Sequence, residues 1–211
     1  LYVDKTLFVR DVLQDPGQVV LLPRPRRFGK TLNLSTLRYF LEADAEADDL
    51  FAGLAISSHE EICARHLRRY PVVWLSFRDV KQRSFADAVV ALRGVVAEAV
   101  QAHEATLRRS GSGARLADAL LSGNVDAVTL QRSLGDLTRA LADASGDGVF
   151  SGLNNVRPVS LLEPGYGTAF GFAEAEVAIL LDGAGLHGHL ADVRAWYDGY
   201  EFGAGRVYNP W

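Results

Sequence analysis

Apolar residues along the chain occur in two patterns, short continuous runs and helical stripes, which together predict alternating strands and helices. Continuous runs are typical of buried strands, and three candidates are found, at residues 18–22, 71–77 and 156–162. Apolar side chains spaced three or four residues apart predict three long helices, at about residues 31–43, 85–100 and 126–144. Ser84 stands in front of the second of these stripes and is expected to cap that helix. Strands separated by helices favour an α/β fold with a parallel sheet.

Composition narrows the class of protein. The 211 residues are 48% hydrophobic and 23% charged, which suits one folded domain with a small appendage. A net charge of −4 argues against direct binding of nucleic acid, and no apolar run approaches the roughly 18–20 residues that span a membrane. The lone Cys63 excludes an internal disulfide framework and fits a reducing compartment, so we expect a cytoplasmic protein. Because the chain contains no methionine, we expect a piece of a longer protein.

A candidate phosphate-binding loop follows the first apolar run. Gly29-Lys30-Thr31 stands between that run and the first long helical stripe. Backbone N–H groups at a helix N-terminus attract phosphate, and Gly29 lets the backbone approach it closely. We expect Lys30 to reach the β- and γ-phosphates of ATP, where it is the candidate catalytic group for stabilising transition-state charge, and Thr31 to hold Mg²⁺ through the nucleotide.

The loop departs from the usual pattern G-x-x-x-x-G-K-[ST], because Arg24 stands at the position of the first glycine. Two prolines and three arginines make the loop stiff and cationic. Arg26 and Arg27 are placed either to contact phosphate or to form structural ion pairs, and the sequence leaves both open. A helix that begins after an ordinary glycine turn remains the alternative to a nucleotide site.

Several segments, in order along the chain, resemble the bacterial AAA-ATPase-like family; they lie at residues 2–8, 24–33, 70–77, 150–155, 170–172, 196–200 and 208–211. The resemblance implies a P-loop NTPase-like fold, a parallel sheet flanked by helices, with ATP and Mg²⁺ bound at Arg26, Arg27, Phe28, Gly29, Lys30 and Thr31. Arg24 belongs to the family pattern. Members often carry a C-terminal PD-(D/E)XK nuclease-like domain, which is therefore the partner expected in the parent chain.

The segment at residues 2–8 precedes the first strand, where related ATPases often place residues that contact adenine. By this resemblance Asp4 and Lys5 are candidate cofactor-binding residues. The alternative is that Asp4 or Thr6 caps an ordinary helix.

The acidic strand that a P-loop ATPase requires is not found. The family has an Asp-Glu-Tyr-Asp segment after the helix that ends near residue 144, whereas here Gly146 runs directly into Asp147 and a later part of the family pattern. Several tens of residues are therefore predicted to be missing at this junction, which leaves the core incomplete. Asp79 and Asp182 follow apolar residues, but a solvated loop and a helix are the favoured interpretations, so no catalytic base is assigned.

These patterns predict an ATP-binding module with a P-loop core at residues 1–165 and a small helical lid-like segment at residues 166–211. ATP hydrolysis is expected only if the parent protein supplies the acidic segment. The alternative is a degenerate module that binds no nucleotide and serves as an interaction platform for an attached nuclease-like domain. No membrane partner is expected.

Overall fold

The structure is a computed structural model that describes residues 2–17, 19–43, 49–123, 125–145, 156–158, 166–197, 199–203 and 205–209. Over these residues the protein is mixed α/β and mostly helical. The helices are α1 Leu7–Leu13, α2 Lys30–Leu41, α3 Glu60–His66, α4 Phe85–Ala102, α5 Glu104–Leu107, α6 Gly111–Leu121, α7 Ala127–Ser145, α8 Glu174–Gly183 and α9 Leu190–Tyr197. Short 3-10 helices cover Ala55–Ser58 and Arg78–Val80. The strands are β1 Val19–Leu21, β2 Val156–Pro158, β3 Phe172–Ala173, β4 Tyr200–Phe202 and β5 Gly205–Tyr208.

The chain divides into two compact units. The first comprises Leu1–Phe40, Ala45–Arg68 and Asn154–Trp211, and the second comprises Leu41–Asp44 and Arg69–Leu153. The predicted division at residue 165 does not coincide with this one, because residues from both ends of the chain belong to the first unit. The lid-like role of residues 166–211 stays a prediction, and the predicted deletion at Gly146–Asp147 lies outside the described residues.

The first unit contains all the described strands. β1 pairs with β2 in parallel, with Val19 opposite Val156, and β3, β5 and β4 form an antiparallel sheet in that order. The core of this unit is largely aromatic and combines residues that are far apart in the sequence, namely Phe8, Phe28, Tyr166, Phe170, Phe202 and Val207. A parallel P-loop sheet is not shown, since among the described strands parallel pairing is limited to β1 and β2.

The second unit is helical, and its core is aliphatic. Helices α4, α6 and α7 bury one stripe each against the others, with α5 beside them, and the core residues include Val96, Val100, Leu107, Leu120, Leu137 and Leu141. The Ser84 hydroxyl accepts a hydrogen bond from the Asp87 amide at 3.1 Å, which confirms the predicted cap of α4. The three predicted long helices are confirmed as α2, α4 and α7, within a few residues at each end.

The predicted strand at residues 71–77 is wrong. These residues form no regular ladder, and the preceding Tyr70 makes only an isolated parallel bridge with Glu42. A strand is stable when a neighbouring backbone satisfies its N–H and C=O groups. The apolar residues of this segment instead serve the helical core, where Val73 and Leu75 pack as partly buried side chains.

No helix in the described part of the chain combines the length and the apolar character that crossing a membrane requires.

Candidate functional site

The predicted strand–loop–helix arrangement is present in the first unit. β1 ends at Leu21, and α2 begins at Lys30, with the cationic loop between them. Gly29 has a φ of +72°, in the left-handed region that glycine adopts without a steric penalty. Arg27 has a φ of +68°, which is uncommon for a residue with a β-carbon. Such backbone conformations persist only where the surrounding structure maintains them, and they cluster at ligand-binding sites.

The Lys30 side chain folds back over the loop that precedes it. Its Nζ donates hydrogen bonds to the carbonyl oxygens of Arg24, at 2.9 Å, and Pro25, at 2.5 Å. A half-buried ammonium group is thereby held against the loop backbone, near the start of α2. The amides in the first turn of any α-helix lack partners within the helix, and such amides attract anions.

The loop side chains separate into an exposed set and a buried set. Arg26, Arg27 and Thr31 are exposed, whereas Arg24 and Phe28 are buried. The exposed set matches residues that the sequence assigns to phosphate and magnesium. The buried set faces the protein, so a contact of Phe28 with a ligand would have to come from its backbone.

Arg24 is inserted among aromatic rings. Its guanidinium carbon lies 5.2 Å from the centre of the Phe170 ring and 5.7 Å from that of Phe202, within the range of cation–π attraction. Its Nη1 donates a hydrogen bond to the carbonyl of Pro23 at 3.0 Å. The residue that replaces the first loop glycine is therefore part of the protein interior, with only 8% of its surface exposed.

Asp4 connects the N-terminal segment to a neighbouring 3-10 helix. Its carboxylate accepts hydrogen bonds from the Thr6 amide and hydroxyl, at 2.8 and 2.6 Å, and from the Ala55 amide at 2.6 Å. The Thr6 hydroxyl oxygen accepts a further bond from Ile56 at 3.1 Å. Burial tends to raise the pKa of Asp4, but the hydrogen bonds from Thr6 and Ala55 outweigh it, so the net pKa is lowered.

Lys5 connects the same segment to α8. Its Nζ lies 2.6 Å from the Glu176 carboxylate and donates to the Thr168 carbonyl at 2.7 Å. Glu176 also accepts a hydrogen bond from the Ala173 amide at 2.7 Å. Both candidate adenine-contacting side chains are therefore engaged within the protein, and the adenine contact itself stays a prediction.

A groove that the sequence did not indicate lies along α2. Its cavity volume is about 390 Å³, and its lining is largely apolar with several hydroxyl groups, from Tyr2, Thr6, Leu32, Ser35, Thr36, Tyr39, Leu50, Phe51 and Leu54. Leu32, the residue after Thr31 in the sequence, is one of the lining residues. Spacing on α2 could have revealed the groove, since Leu32, Thr36 and Tyr39 share one face of the helix.

Asp182 and Asp79 are the two carboxylates that follow apolar residues in the sequence. Asp182 lies within α8, as the favoured interpretation expected, where it is exposed and 2.9 Å from Nδ1 of His187. Asp79 is an exposed residue of the second unit. Across the described ranges, no cluster of three or more His, Cys, Asp or Glu side chains is arranged to hold a metal ion.

Comparison with known proteins establishes the family. A family model described as "Predicted AAA-ATPase" matches residues 1–150, about 70% of the chain. This chain belongs to the AAA-ATPase-like family. No solved structure matches.

One relative adds information on length. A protein of Azotobacter chroococcum mcd 1, titled "Uncharacterized protein in vnfD 5'region", is 30% identical over 254 residues. The match includes 99% of this chain and 46% of the relative, so the chain spans about half the length of this curated relative. The alignment is 254 residues long and the chain has 211. At least 43 aligned positions of the relative therefore lie opposite gaps in this chain.

Proposed function

We propose that this AAA-ATPase-like chain is an ATP-binding module whose triphosphate site is the loop before α2. The observation that carries the proposal is the position of the Lys30 ammonium, held by the carbonyls of Arg24 and Pro25 beside the helix N-terminus. Hydrogen bonds to neutral carbonyls can be exchanged for bonds to phosphate oxygens, which are stronger acceptors for a cation. A lysine held in this way is close to the anion site before the anion arrives.

The exposed loop residues fit a magnesium–triphosphate ligand. Arg26 and Arg27 offer guanidinium groups to phosphate oxygens, and the Thr31 hydroxyl is an exposed side-chain oxygen at the start of α2. Bound Mg²⁺ would neutralise phosphate charge. The loop's own contribution is orientation of the phosphates by backbone donors, and attraction of them by Lys30.

The groove beside α2 is the proposed place for the nucleobase. It is apolar, it carries the Tyr2 ring and the Thr36 hydroxyl, and its lining includes Leu32, which follows Thr31 in the sequence. Binding sites for small organic groups are typically concave and apolar with a few polar groups. Asp4 then acts through Thr6, a groove residue that it holds in place, rather than by touching the base.

Hydrolysis is proposed only for a parent protein that supplies an acidic segment. The 43 or more unmatched positions of the relative are the right order of size for the several tens of residues expected at Gly146–Asp147. Leu21, in the strand before the loop, is 53% exposed. Strands of a complete parallel sheet are buried on both faces.

Calorimetric titration with ATP and Mg²⁺ tests the proposal. We expect the 211-residue chain to bind, and Lys30→Ala to weaken binding by at least about tenfold, since charge-assisted hydrogen bonds contribute about 1.5–3 kcal/mol. Lys81→Ala is the matched control, because Lys81 is an exposed lysine of the second unit. Absence of binding by the unaltered chain, or equal binding by Lys30→Ala, would instead favour the interaction-platform alternative.

A further inference from the structure

The two buried side chains of the phosphate loop each contact two of three aromatic rings. These rings are Phe170, Tyr200 and Phe202, which we call the ring cluster. Arg24 lies over Phe170 and Phe202, at 5.2 and 5.7 Å from their centres. The Phe28 ring centre lies 5.1 Å from that of Tyr200 and 5.4 Å from that of Phe202. Phe202 is therefore shared by both loop residues, although more than 170 positions separate it from them in the sequence.

Arg24 and Phe28, which make these contacts, lie on either side of the exposed part of the loop. Arg24 and Phe28 are 8% and 1% exposed, and the residues between them include the exposed Arg26 and Arg27. The carbonyl of Arg24 is also one of the two acceptors for Lys30. Whatever holds the Arg24 side chain therefore also determines where its carbonyl, and with it the Lys30 ammonium, is placed.

The backbone beside the ring cluster leaves Phe28 little freedom. Gly171 has a φ of +76°, and a β-carbon added there would lie 3.0 Å from an atom of the Phe28 ring and 2.9 Å from the Tyr208 carbonyl oxygen. Asn33, buried in the first turns of α2, donates from Nδ2 to the Ala169 carbonyl at 2.6 Å. The 169–171 segment thus contacts both the loop and the helix that follows it.

We propose that Arg24 and Phe28 are positioning residues, which set the shape of the phosphate loop by packing on the ring cluster, and that Arg24 does not touch phosphate. The proposal rests on the proposed function of the loop as a triphosphate site. It separates the loop arginines into two kinds: Arg26 and Arg27 face the ligand, whereas Arg24 faces the protein. It also makes nucleotide affinity dependent on Phe202, a residue outside the loop.

Substitutions of Arg24 distinguish stacking from a charge contact with phosphate. A planar guanidinium stacks on two rings, which a lysine ammonium cannot reproduce equally, although lysine retains the charge. We expect Arg24→Lys and Arg24→Ala each to raise the dissociation constant for ATP by about tenfold, because each removes the guanidinium contact with the two rings. If Arg24→Lys binds like the unaltered chain while Arg24→Ala does not, charge is what matters and the proposal is overturned.

A double-mutant cycle tests whether Arg24 acts through the ring cluster. We expect Phe202→Leu to weaken ATP binding several-fold. The double variant Arg24→Ala with Phe202→Leu should bind more weakly than Arg24→Ala, because Phe202 also packs on Phe28, but the combined loss should be smaller than the two single losses added as free energies. Additive losses would overturn the proposal. Phe170→Leu, which spares Phe202, serves the same cycle if Phe202→Leu does not fold. Val177→Ala removes buried apolar volume from α8 without altering a residue of the loop or of the ring cluster, and should leave ATP affinity unchanged.

Hydrogen exchange without nucleotide separates failure of this proposal from failure of the proposed function. We expect Arg24→Ala to speed amide exchange both in the loop and at Tyr200–Phe202, since each is held by the other. If the unaltered chain binds no ATP but this coupled change occurs, only the nucleotide function fails. If exchange at Tyr200–Phe202 stays unchanged, the positioning role is wrong whatever the chain binds.

Discussion

The two compact units are built from different kinds of contact. The second unit has an aliphatic core, formed by helices that follow one another in the chain, so that Val100, Leu107 and Leu120 meet across short connections. The core of the first unit joins Phe8 and Phe28 to Phe170 and Phe202, which come from opposite ends of the chain. The loop before α2 is a local motif in the sequence. In the structure, however, its buried side chains make long-range contacts, as the other core residues of the first unit do.

This difference indicates which contacts determine the shape of the candidate site. Local helical contacts stabilise the second unit, and none of the residues that the sequence assigns to nucleotide binding belongs to it. In the first unit, Asp4, Lys5 and Asn33 make long-range polar contacts, and that of Asn33 joins α2 to the Ala169 carbonyl. Long-range contacts cost more chain entropy to form, so the position of α2, and of the loop before it, depends on segments from both ends of the chain.

The largest effect should come from breaking the core of the second unit. Leu137 is fully buried in α7, and Leu137→Ala should lower the free energy of unfolding by about 2–5 kcal/mol through lost apolar burial and a residual cavity. Urea unfolding followed by circular dichroism measures this loss. ATP affinity, measured on the folded protein, should change less than twofold. A large loss of affinity without unfolding would contradict the distinction between the two units.

An intermediate effect should follow loss of the Asp4 charge in the first unit. Asp4→Asn removes a carboxylate that accepts three hydrogen bonds, so we expect the free energy of unfolding to fall by about 1–2 kcal/mol at pH 7. Because the folded-state pKa of Asp4 lies below its ordinary value of 3.8, its contribution is present above that value and is lost as the pH falls through the folded-state pKa.

Urea unfolding of Asp4→Asn and of the unaltered chain, at pH 7 and at about pH 3, measures this dependence. The difference in the free energy of unfolding between the two proteins should be full at pH 7 and smaller at about pH 3. Asp79→Asn is the control, because Asp79 is exposed in the second unit, and its stability should match that of the unaltered chain at both pH values. A difference for Asp4→Asn that persists in full at low pH would show that charge is not the cause.

The smallest effect should come from the cap of α4. Ser84→Ala removes the acceptor for the Asp87 amide and should cost about 1 kcal/mol. Thermal unfolding measures the cost, and Ser84→Thr should retain most of the stability, because its hydroxyl can still accept from the Asp87 amide and donate to the Asp87 carboxylate. A loss for Ser84→Thr as large as that for Ser84→Ala would show that the hydroxyl acts in some other way.

The sequence by itself determined the local elements: helices α2, α4 and α7, the Ser84 cap, and a cationic loop ending in Gly29-Lys30-Thr31 at the start of a helix. Each depends on residues within a few positions of one another, where side-chain period and backbone preference act directly. The family also followed from ordered motifs along the chain, and the match at residues 1–150 confirmed it.

Only the tertiary structure decided what surrounds those elements. It left residues 71–77 without a strand, since an apolar run says nothing about whether a neighbour is present to pair with it. It buried Arg24 against Phe170 and Phe202, and it engaged Lys5 with Glu176. These partners lie more than 140 positions away in the sequence, and no local pattern specifies a contact that depends on how distant segments pack.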